Sequence, residues 1–127
     1  MVLRQALFPR LLACLFVLMA GCSSADDGAA PAWAEGMATV READLPAEAR
    51  RTLTHVDAGG PFPYERDGAV FGNFEGLLPQ RPRGYYHEYT VRTPGSADRG
   101  ARRIVTGRGR ETYYTDDHYA SFTAVLR

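Results

Sequence analysis

A carboxylate, a group of arginines and a histidine follow one another along the C-terminal half of the chain. Glu88 lies within the tyrosine-rich stretch GYYHEYTVRTPG, Arg99 and Arg103 follow in DRGARRIV, and His118 lies in TDDHYASF. Near neutral pH a carboxylate accepts a proton, a histidine donates one, and the planar fork of arginine suits phosphate oxygens. These residue types therefore favour acid–base catalysis on a phosphodiester, provided that the fold brings them together.

Each of these residues also has a purely structural interpretation. Glu88 could be an exposed strand residue paired with an arginine, the arginines could form a solvated basic edge, and His118 could belong to a surface loop. Cleavage of a glycoside is less well supported, because no second carboxylate is as clearly positioned. His55 and His87 are interpreted as structural or exposed. The three histidines lack the spacing of metal ligands, so no metal site is predicted.

The alternation of a β-strand predicts which side chains share a face with Glu88. One face of the strand would present Tyr86, Glu88, Thr90 and Arg92, and the other Tyr85, His87, Tyr89 and Val91. In a hairpin with the following strand, the arginines near Glu88 would be Arg99, Arg102 and Arg103. A carboxylate beside several arginines is typical of a functional site.

One helix and several short strands are predicted to position these groups. The stretch DLPAEARRTLTHV has Asp44 as a plausible cap, Pro46 in the first turn, and an apolar stripe at helical spacing. Strands are predicted in AVFGN, YYHEYTVRT, ARRIVTG, ETYYT and ASFTAVL, separated by turn-forming residues. The sequence therefore predicts an α+β domain with one N-terminal helix packed on a twisted antiparallel β-sheet, whose other face can bind a ligand.

The N-terminal part is expected to lie outside this domain. Residues 1–21 combine basic residues with a short apolar run that ends in LMAGC, which predicts a signal peptide of the lipoprotein type with lipidation at Cys22. The alternative is ordinary secretory cleavage with Cys22 incidental. Residues 22–43 are predicted to be a flexible tether, and 44–127 the folded domain. Either way, we expect the protein to be secreted or anchored to the outer face of the cell membrane.

The composition limits the classes of function. The formal net charge is zero, so affinity for an anion must come from a local cluster of charge. All fifteen basic residues are arginine, and five lie between Arg99 and Arg110. A genome rich in G and C would explain most of that bias. Both cysteines, Cys14 and Cys22, belong to the leader, so neither a disulfide nor a thiolate metal site is expected in the domain.

Four stretches in order resemble a known family. They are GGPFPYERDGAVFGNFEGLLP, GYYHEYTVRTPG, RGARRIVTG and YYTDDHYASF. Their residues and spacing are similar to those of the microbial guanyl-specific ribonucleases of the barnase superfamily, in particular the small secreted enzymes of Streptomyces. The resemblance runs from about Leu45 to Phe122, which is nearly the whole predicted domain, and it implies the microbial ribonuclease fold.

The resemblance implies a role for each candidate catalytic residue. Glu88 would be the general base that takes the proton of the ribose 2′-hydroxyl, and His118 the general acid that protonates the departing 5′-oxygen. Arg99 and Arg103 would hold the phosphate, and Tyr119 would touch it. The implied reaction is cleavage of single-stranded RNA 3′ of guanosine through a 2′,3′-cyclic phosphate, which is then hydrolysed. No metal or cofactor is implied, because the nucleophile is the substrate's own hydroxyl.

Guanine recognition is implied for the stretch VFGNFEG. Glu75 would accept hydrogen bonds from N1–H and the 2-amino group, and Phe71 would stack on the base. Backbone amides at Gly72, Asn73 and Phe74 would meet the guanine O6. The structural alternatives are core packing for Phe71 and a turn carboxylate for Glu75. Two positions depart from the family's pattern: Phe74 replaces an arginine, and Gly72 is unusual.

The resemblance also implies partners. The expected partners are single-stranded RNA and a barstar-like inhibitor protein. The chain itself would be a monomer, and it would be attached to a membrane if Cys22 is lipidated. The disulfide that ties the ends of the secreted relatives is missing, since no cysteine follows Cys22. A second interpretation remains open, a surface-anchored module that binds RNA or another anion with weak or no turnover. The altered recognition stretch supports it, and the intact catalytic residues count against it.

Overall fold

The structure is a computed structural model, and it describes residues 30–127. The predicted signal peptide, Cys22 and the start of the predicted tether lie outside the described residues. The described part contains one helix, α1 (Ala47–Ala58), and the strands β1 (Thr39–Arg41), β2 (Ala69–Phe71), β3 (Tyr86–Thr90), β4 (Arg103–Gly107), β5 (Thr112–Thr115) and β6 (Thr123–Leu126). Two short 3-10 helices cover Ala32–Ala34 and Glu42–Asp44. No helix within residues 30–127 is long and apolar enough to cross a membrane.

The helix α1 begins after Pro46 and ends at Gly59. Pro46 is the N-cap, without a side-chain cap, so the prediction that Asp44 caps the helix is wrong. Asp44 instead ends a 3-10 helix, and the extended Leu45 and Pro46 separate it from α1. Gly59 has φ 77°, a left-handed conformation that glycine adopts without strain, and its amide donates back to the last turn. Both helix ends are therefore set by local sequence.

The six strands form one mixed sheet with the order β1-β6-β5-β4-β3-β2. Strands β2 to β6 pair antiparallel with their neighbours in the chain. Strand β1 pairs parallel with β6 at one edge. The predicted α+β fold, with one helix on a largely antiparallel sheet, is confirmed; the parallel edge strand was not predicted.

The folded part begins well before Asp44, so the prediction of a flexible tether over 22–43 is wrong for its second half. Ala34 is fully buried, and Trp33 packs edge-on against Tyr113 with their ring centroids 5.4 Å apart. The hydroxyl of Tyr113 donates to the carbonyl of Trp33 at 3.2 Å. This segment is ordered because Trp33 and Ala34 pack against the sheet and β1 pairs with β6 at its edge.

The two faces of the sheet bury two separate apolar clusters. On one face, Ala49 and Leu53 of α1 and the preceding Leu45 pack on Val91, Ile104 and Val125. On the other face, the cluster consists of Ala34, Leu78, Tyr86, Val105, Tyr113 and Ala124. The register pairs Glu88 with Val105 and Val105 with Tyr113, so Glu88 lies on the face away from the helix. The predicted alternation along β3 is confirmed.

Candidate active site

Glu88 lies at the centre of the site on the middle of β3. Its side chain is buried, with the residue only 8% exposed. The hydroxyl of Tyr119 donates to Oε1 at 2.9 Å, and Nη2 of Arg99 lies 3.9 Å from the same oxygen. On the other side, Nη2 of Arg66 lies 3.9 Å from Oε2. A buried carboxylate is costly unless it is paired, and here a hydroxyl and two guanidinium groups surround it.

Arg66 is a site residue that sequence reasoning missed. It belongs to the loop between α1 and β2, which two hydrogen bonds tie to β3. The amide of Gly68 donates to the Glu88 carbonyl at 2.8 Å, and the amide of Thr90 donates to Oδ1 of Asp67 at 2.7 Å. This loop therefore holds Arg66 beside the carboxylate although the two residues are distant in sequence.

Arg99 is held in place by Thr90, the residue two positions after Glu88 on the same face. Its Nε and Nη2 atoms both donate to the Thr90 hydroxyl, at 3.2 and 2.8 Å. The side chain of Arg99 is about one third exposed. The guanidinium thus faces Glu88 from a fixed position and still reaches solvent, as a group that binds an anionic substrate must.

Arg103 is buried next to Arg99 and Thr90. It pairs with Thr90 across β3 and β4 and is only 3% exposed. Its Nη1 donates to the carbonyls of Gly100 and Arg102 at 2.9 and 2.8 Å. Its buried Nε has no hydrogen-bond partner among residues 30–127. An unpaired buried donor on a cation is costly, and an anion bound at this site would satisfy it.

Tyr119 connects Glu88 to the histidine loop. Burial and the hydrogen bond to Glu88 raise the pKa of the Tyr119 hydroxyl well above its ordinary value, and the nearby charge of Arg103 opposes that rise. The hydroxyl is therefore protonated at neutral pH and acts as a donor. The imidazole of His118 lies against the Tyr119 ring, with centroids 5.0 Å apart. His118 is exposed and thus accessible to a substrate.

The loop that carries His118 has an unusual backbone. His118 and Tyr119 have φ angles of 56° and 75°. These angles lie in the left-handed region, which is uncommon for residues other than glycine and is strained for a bulky residue such as tyrosine. The amide of His118 donates to the carbonyl of Ala101 at 3.0 Å, which joins the loop to the approach of β4. Strained conformations of this kind persist only when surrounding contacts hold them, and they concentrate at functional sites.

Thr115 and Asp117 supply the contacts that hold this loop. The Thr115 hydroxyl donates to Oδ1 of Asp117 at 2.7 Å and accepts the amide of Tyr119 at 3.1 Å. Asp117 also accepts the amide of Ser121 at 2.9 Å and the Ser121 hydroxyl. Hydrogen bonds from Ser121 and Thr115 lower the pKa of Asp117 to about 2. This network fixes the loop conformation that turns His118 and Tyr119 toward the site.

An apolar cavity of about 370 Å³ adjoins these residues. It is lined by Phe71, Asn73, Phe74, Glu75, Leu77, His118, Tyr119 and Phe122. The Phe71 ring is half-buried and lies 5.0 Å from the Tyr119 ring and 5.8 Å from the Phe122 ring. The structure thus brings the predicted base-binding residues and His118 to one cavity.

The side chain of Asn73 is bonded to the loop on which it lies. Its side-chain amide donates to the Leu78 carbonyl at 3.0 Å, and its side-chain oxygen accepts the Leu78 amide at 3.1 Å. Its φ of 54° is one that asparagine tolerates better than most residues. The Asn73 side chain therefore stabilises the loop that lines the cavity.

Other candidates do not join the site. Arg102 contacts Glu48 of α1 at 3.9 Å, on the opposite face of the sheet, so the prediction that it lies near Glu88 is wrong. His55 lines a separate cavity beside α1, and His87 pairs with Thr106 facing away from Glu88. Within residues 30–127 no group of three or more His, Cys, Asp or Glu residues could hold a metal ion.

A larger cavity of about 610 Å³ lies elsewhere, next to the C-terminal end of α1. It is lined by Glu42, Val56, Asp57, Thr106, Gly107, Arg110, Thr112 and Arg127. None of the predicted catalytic or base-binding residues is among them. Arg127 occupies the acidic side of this cavity by bonding to Glu42 and Asp57 at 2.8 and 2.6 Å.

Comparisons with known proteins agree with this geometry. The profile of a family described as ribonuclease matches residues 28–126. The chain is 59% identical over 91 residues to guanyl-specific ribonuclease St of Saccharopolyspora erythraea, an alignment covering 72% of this chain and 90% of the relative. It is 54% identical over 88 residues to guanyl-specific ribonuclease Sa of Kitasatospora aureofaciens, covering 68% of this chain and 92% of the relative.

Solved structures of ribonucleases are also similar to this chain. The crystal structure of ribonuclease Sa2 with guanosine-2′-cyclophosphate superimposes with a TM-score of 0.69 at 49% identity, covering 72% of this chain and 97% of that one. A structure of ribonuclease Sa2 complexes with mononucleotides superimposes with a TM-score of 0.71 at 50% identity, covering 72% and 96%. The chain belongs to the ribonuclease family, as a member of the guanyl-specific microbial type.

Proposed function

We propose that this chain is a guanyl-specific endoribonuclease that cleaves single-stranded RNA on the 3′ side of guanosine. The observation that carries the proposal is the buried Glu88, with Tyr119, Arg99 and Arg66 around it and the unpaired Nε of Arg103 nearby. Relatives with this activity in their names, and a relative crystallised with a guanosine cyclophosphate, support the choice of RNA and of guanine.

In the first step, Glu88 takes the proton from the ribose 2′-hydroxyl, and that oxygen attacks the adjacent phosphorus. The bond to the 5′-oxygen of the next nucleoside breaks, and His118 gives that oxygen a proton. Arg99 and Arg103 stabilise the negative charge that develops on the phosphoryl oxygens, and Tyr119 donates a hydrogen bond to it. The product is a guanosine 2′,3′-cyclic phosphate.

In the second step, water opens the cyclic phosphate with the proton transfers reversed. His118, now neutral, takes a proton from water, and Glu88 returns a proton to the 2′-oxygen. The product is a 3′-phosphate. The nucleophiles are the substrate's hydroxyl and then water, so the reaction needs no metal-bound hydroxide.

The base is recognised in the apolar cavity. Stacking on Phe71 is supported by the fixed position of that ring against Tyr119 and Phe122. Glu75, which is exposed at the cavity, can accept both the N1–H and the 2-amino group of guanine. Adenine lacks this pair of donors, so one carboxylate separates the two purines.

A pH–rate profile tests the assignment of base and acid. We expect kcat/KM for GpC to follow a bell-shaped curve, because Glu88 must be ionised and His118 protonated. In the His118→Gln variant, the alkaline fall of the curve should disappear along with most of the activity. A wild-type profile that rises steadily through pH 9 would contradict these roles.

We also propose that the protein is exported and anchored through a lipid on Cys22, an inference that rests on the leader sequence alone. Radiolabelled palmitate should be incorporated into the wild-type chain and not into Cys22→Ser. Export further suggests a need for protection of the producing cell by an inhibitor protein of the barstar type. A soluble, monomeric catalytic domain is expected, which sedimentation of the chain without its leader would check.

A further inference from the structure

The base-binding cavity has a second aromatic wall that sequence motifs alone do not explain. Phe74 is 88% exposed, far more than the other exposed large apolar residues of the described part, Val70 and Leu77. Its side chain nevertheless lines the same cavity as Phe71 and Glu75. An aromatic ring left in water beside a polar-rimmed cavity is typical of a binding site.

Gly72 gives the Phe74 ring its position. A β-carbon at Gly72 would lie 2.5 Å from Cζ and 2.6 Å from Cε2 of Phe74, so the ring rests on the space that glycine leaves open. The φ of Gly72 is not in the left-handed region, so the backbone does not itself require glycine at this position. The two residues are therefore a matched pair, in which the missing side chain at Gly72 makes room for the ring.

The two aromatic walls differ in how they are packed. Phe71 is half-buried and packed against Tyr119 and Phe122. Phe74 is 88% exposed, and its ring lies over Gly72. A packed ring on one wall and an exposed ring on the other suit a flat ligand, which can contact both aromatic surfaces.

We propose that Phe74, seated on Gly72, is an affinity-determining residue that supplies a second aromatic surface to the bound guanine, in addition to Phe71. The inference rests on the proposed function and adds a chain-specific contact to it. A stacked phenyl ring contributes through apolar and π contacts without a charge. The contribution of Phe74 is therefore insensitive to salt, unlike that of a cation at the same position.

The test uses the affinity for 3′-GMP, measured by titration calorimetry, so that it does not depend on turnover. The chain without its leader is compared with Phe74→Ala, Gly72→Ala and the double variant. Val70→Ala is the matched control, because Val70 is an exposed apolar residue close by in the chain that does not line the cavity. Thermal denaturation of each variant checks that it is folded.

We expect Phe74→Ala to raise Kd for 3′-GMP by about tenfold, the usual effect of removing one stacking partner. Gly72→Ala should raise it in the same direction, because the new methyl group displaces the ring. In the Phe74→Ala background, Gly72→Ala should have no further effect, since there is no ring to displace. Val70→Ala should leave Kd unchanged.

Three results would contradict the inference, each in a distinguishable way. If the wild type binds 3′-GMP and Phe74→Ala binds it equally well, Phe74 does not contact the base, and the proposed function stands without it. If the wild type shows no affinity for 3′-GMP, the guanine site itself is wrong and this inference falls with it. An effect of Gly72→Ala that persists undiminished in the Phe74→Ala background would show that the pair does not act as a unit.

Discussion

The proposed phosphate-binding and base-binding ends of the site, called the phosphate end and the base end, are built in opposite ways. At the phosphate end, Glu88 and Arg103 are almost fully buried on adjacent strands in the middle of the sheet. At the base end, Phe74 and Glu75 are exposed on the loop after β2. The first holds charged groups where a small displacement would cost much of the rate. The base end lies on a surface loop, where residues can be substituted without disturbing the sheet.

This difference explains where the chain departs from the family's pattern. Both unusual positions, Gly72 and Phe74, lie at the base end. A substitution there changes contacts with solvent and ligand, while one at Glu88 or Arg103 would remove a charged group that is buried within the sheet. We therefore expect variants at the phosphate end to lose turnover, and variants at the base end to lose affinity or selectivity.

The sharpest test of the contrast is Glu88→Gln. Glutamine keeps the shape of the side chain but cannot take a proton, so kcat on GpC should fall by about 10²–10⁴-fold while 3′-GMP still binds. The matched control is Glu111→Gln. Glu111 is equally buried, at 6% exposure, but accepts from Tyr85 and the Gly109 amide away from the site. The Glu111→Gln variant should be less stable than the wild type but have the same kcat per folded molecule. Equal losses of kcat in the two variants would contradict a specific role for Glu88.

The base end is tested next by Glu75→Gln. The amide can accept only through its oxygen, so the ratio of kcat/KM for GpC to that for ApC should fall by about 10–100-fold, with little change in the ApC rate. Glu65→Gln is the control, because Glu65 is an exposed glutamate that does not line the base cavity. A preserved preference for GpC in Glu75→Gln would move guanine recognition to the backbone amides.

A smaller effect is expected at the loop that connects the two ends. Asp117→Asn weakens the bonds to Thr115 and Ser121 that hold the left-handed conformation at His118 and Tyr119, and kcat should fall by about tenfold. Asp116→Asn is the control, since Asp116 precedes it and is exposed. If both variants retain the wild-type kcat, the network does not position the histidine. The Asp117→Asn variant should bind 3′-GMP with nearly the same affinity as the wild type.

The smallest expected effect is a change in the stability of the fold at acid pH. Because the pKa of Asp117 is lowered from 3.8 to about 2 in the folded protein, the stabilisation from its ionised form is complete above about pH 4. It is lost as the pH falls toward 2, when the carboxylate is protonated. The stability difference between wild type and Asp117→Asn, from urea denaturation, should therefore narrow from pH 5 to pH 2. A constant difference would contradict a role for this ionisation.

Some features of the site could be predicted because they follow from local pattern. The period of two in β3 assigned Glu88 to the same face as Tyr86 and Thr90, and the register confirms it. The helix is recognisable from its apolar stripe, but its first residue is not, because the extended Leu45 and Pro46 move the N-cap from Asp44 to Pro46. Features of this kind need only a few neighbouring residues.

Other features depended on pairing between distant segments. Arg102 and Arg103 are neighbours in sequence but lie on opposite faces, and only the register between β3 and β4 decides which one faces Glu88. Arg66 approaches Glu88 from a loop that lies 22 residues earlier in the chain. The strand β1 is three residues long, too short for any periodicity, and it is visible only through its partner β6.

The most direct test of the central claim is cleavage of the four dinucleoside phosphates NpC by the chain without its leader, in EDTA. We expect GpC to be cleaved far faster than ApC, CpC or UpC, with guanosine 2′,3′-cyclic phosphate appearing before the 3′-phosphate. Folding is checked in the same sample by circular dichroism. A folded protein that cleaves none of the four, or cleaves all of them at similar rates, would contradict a guanyl-specific ribonuclease built around Glu88 and His118.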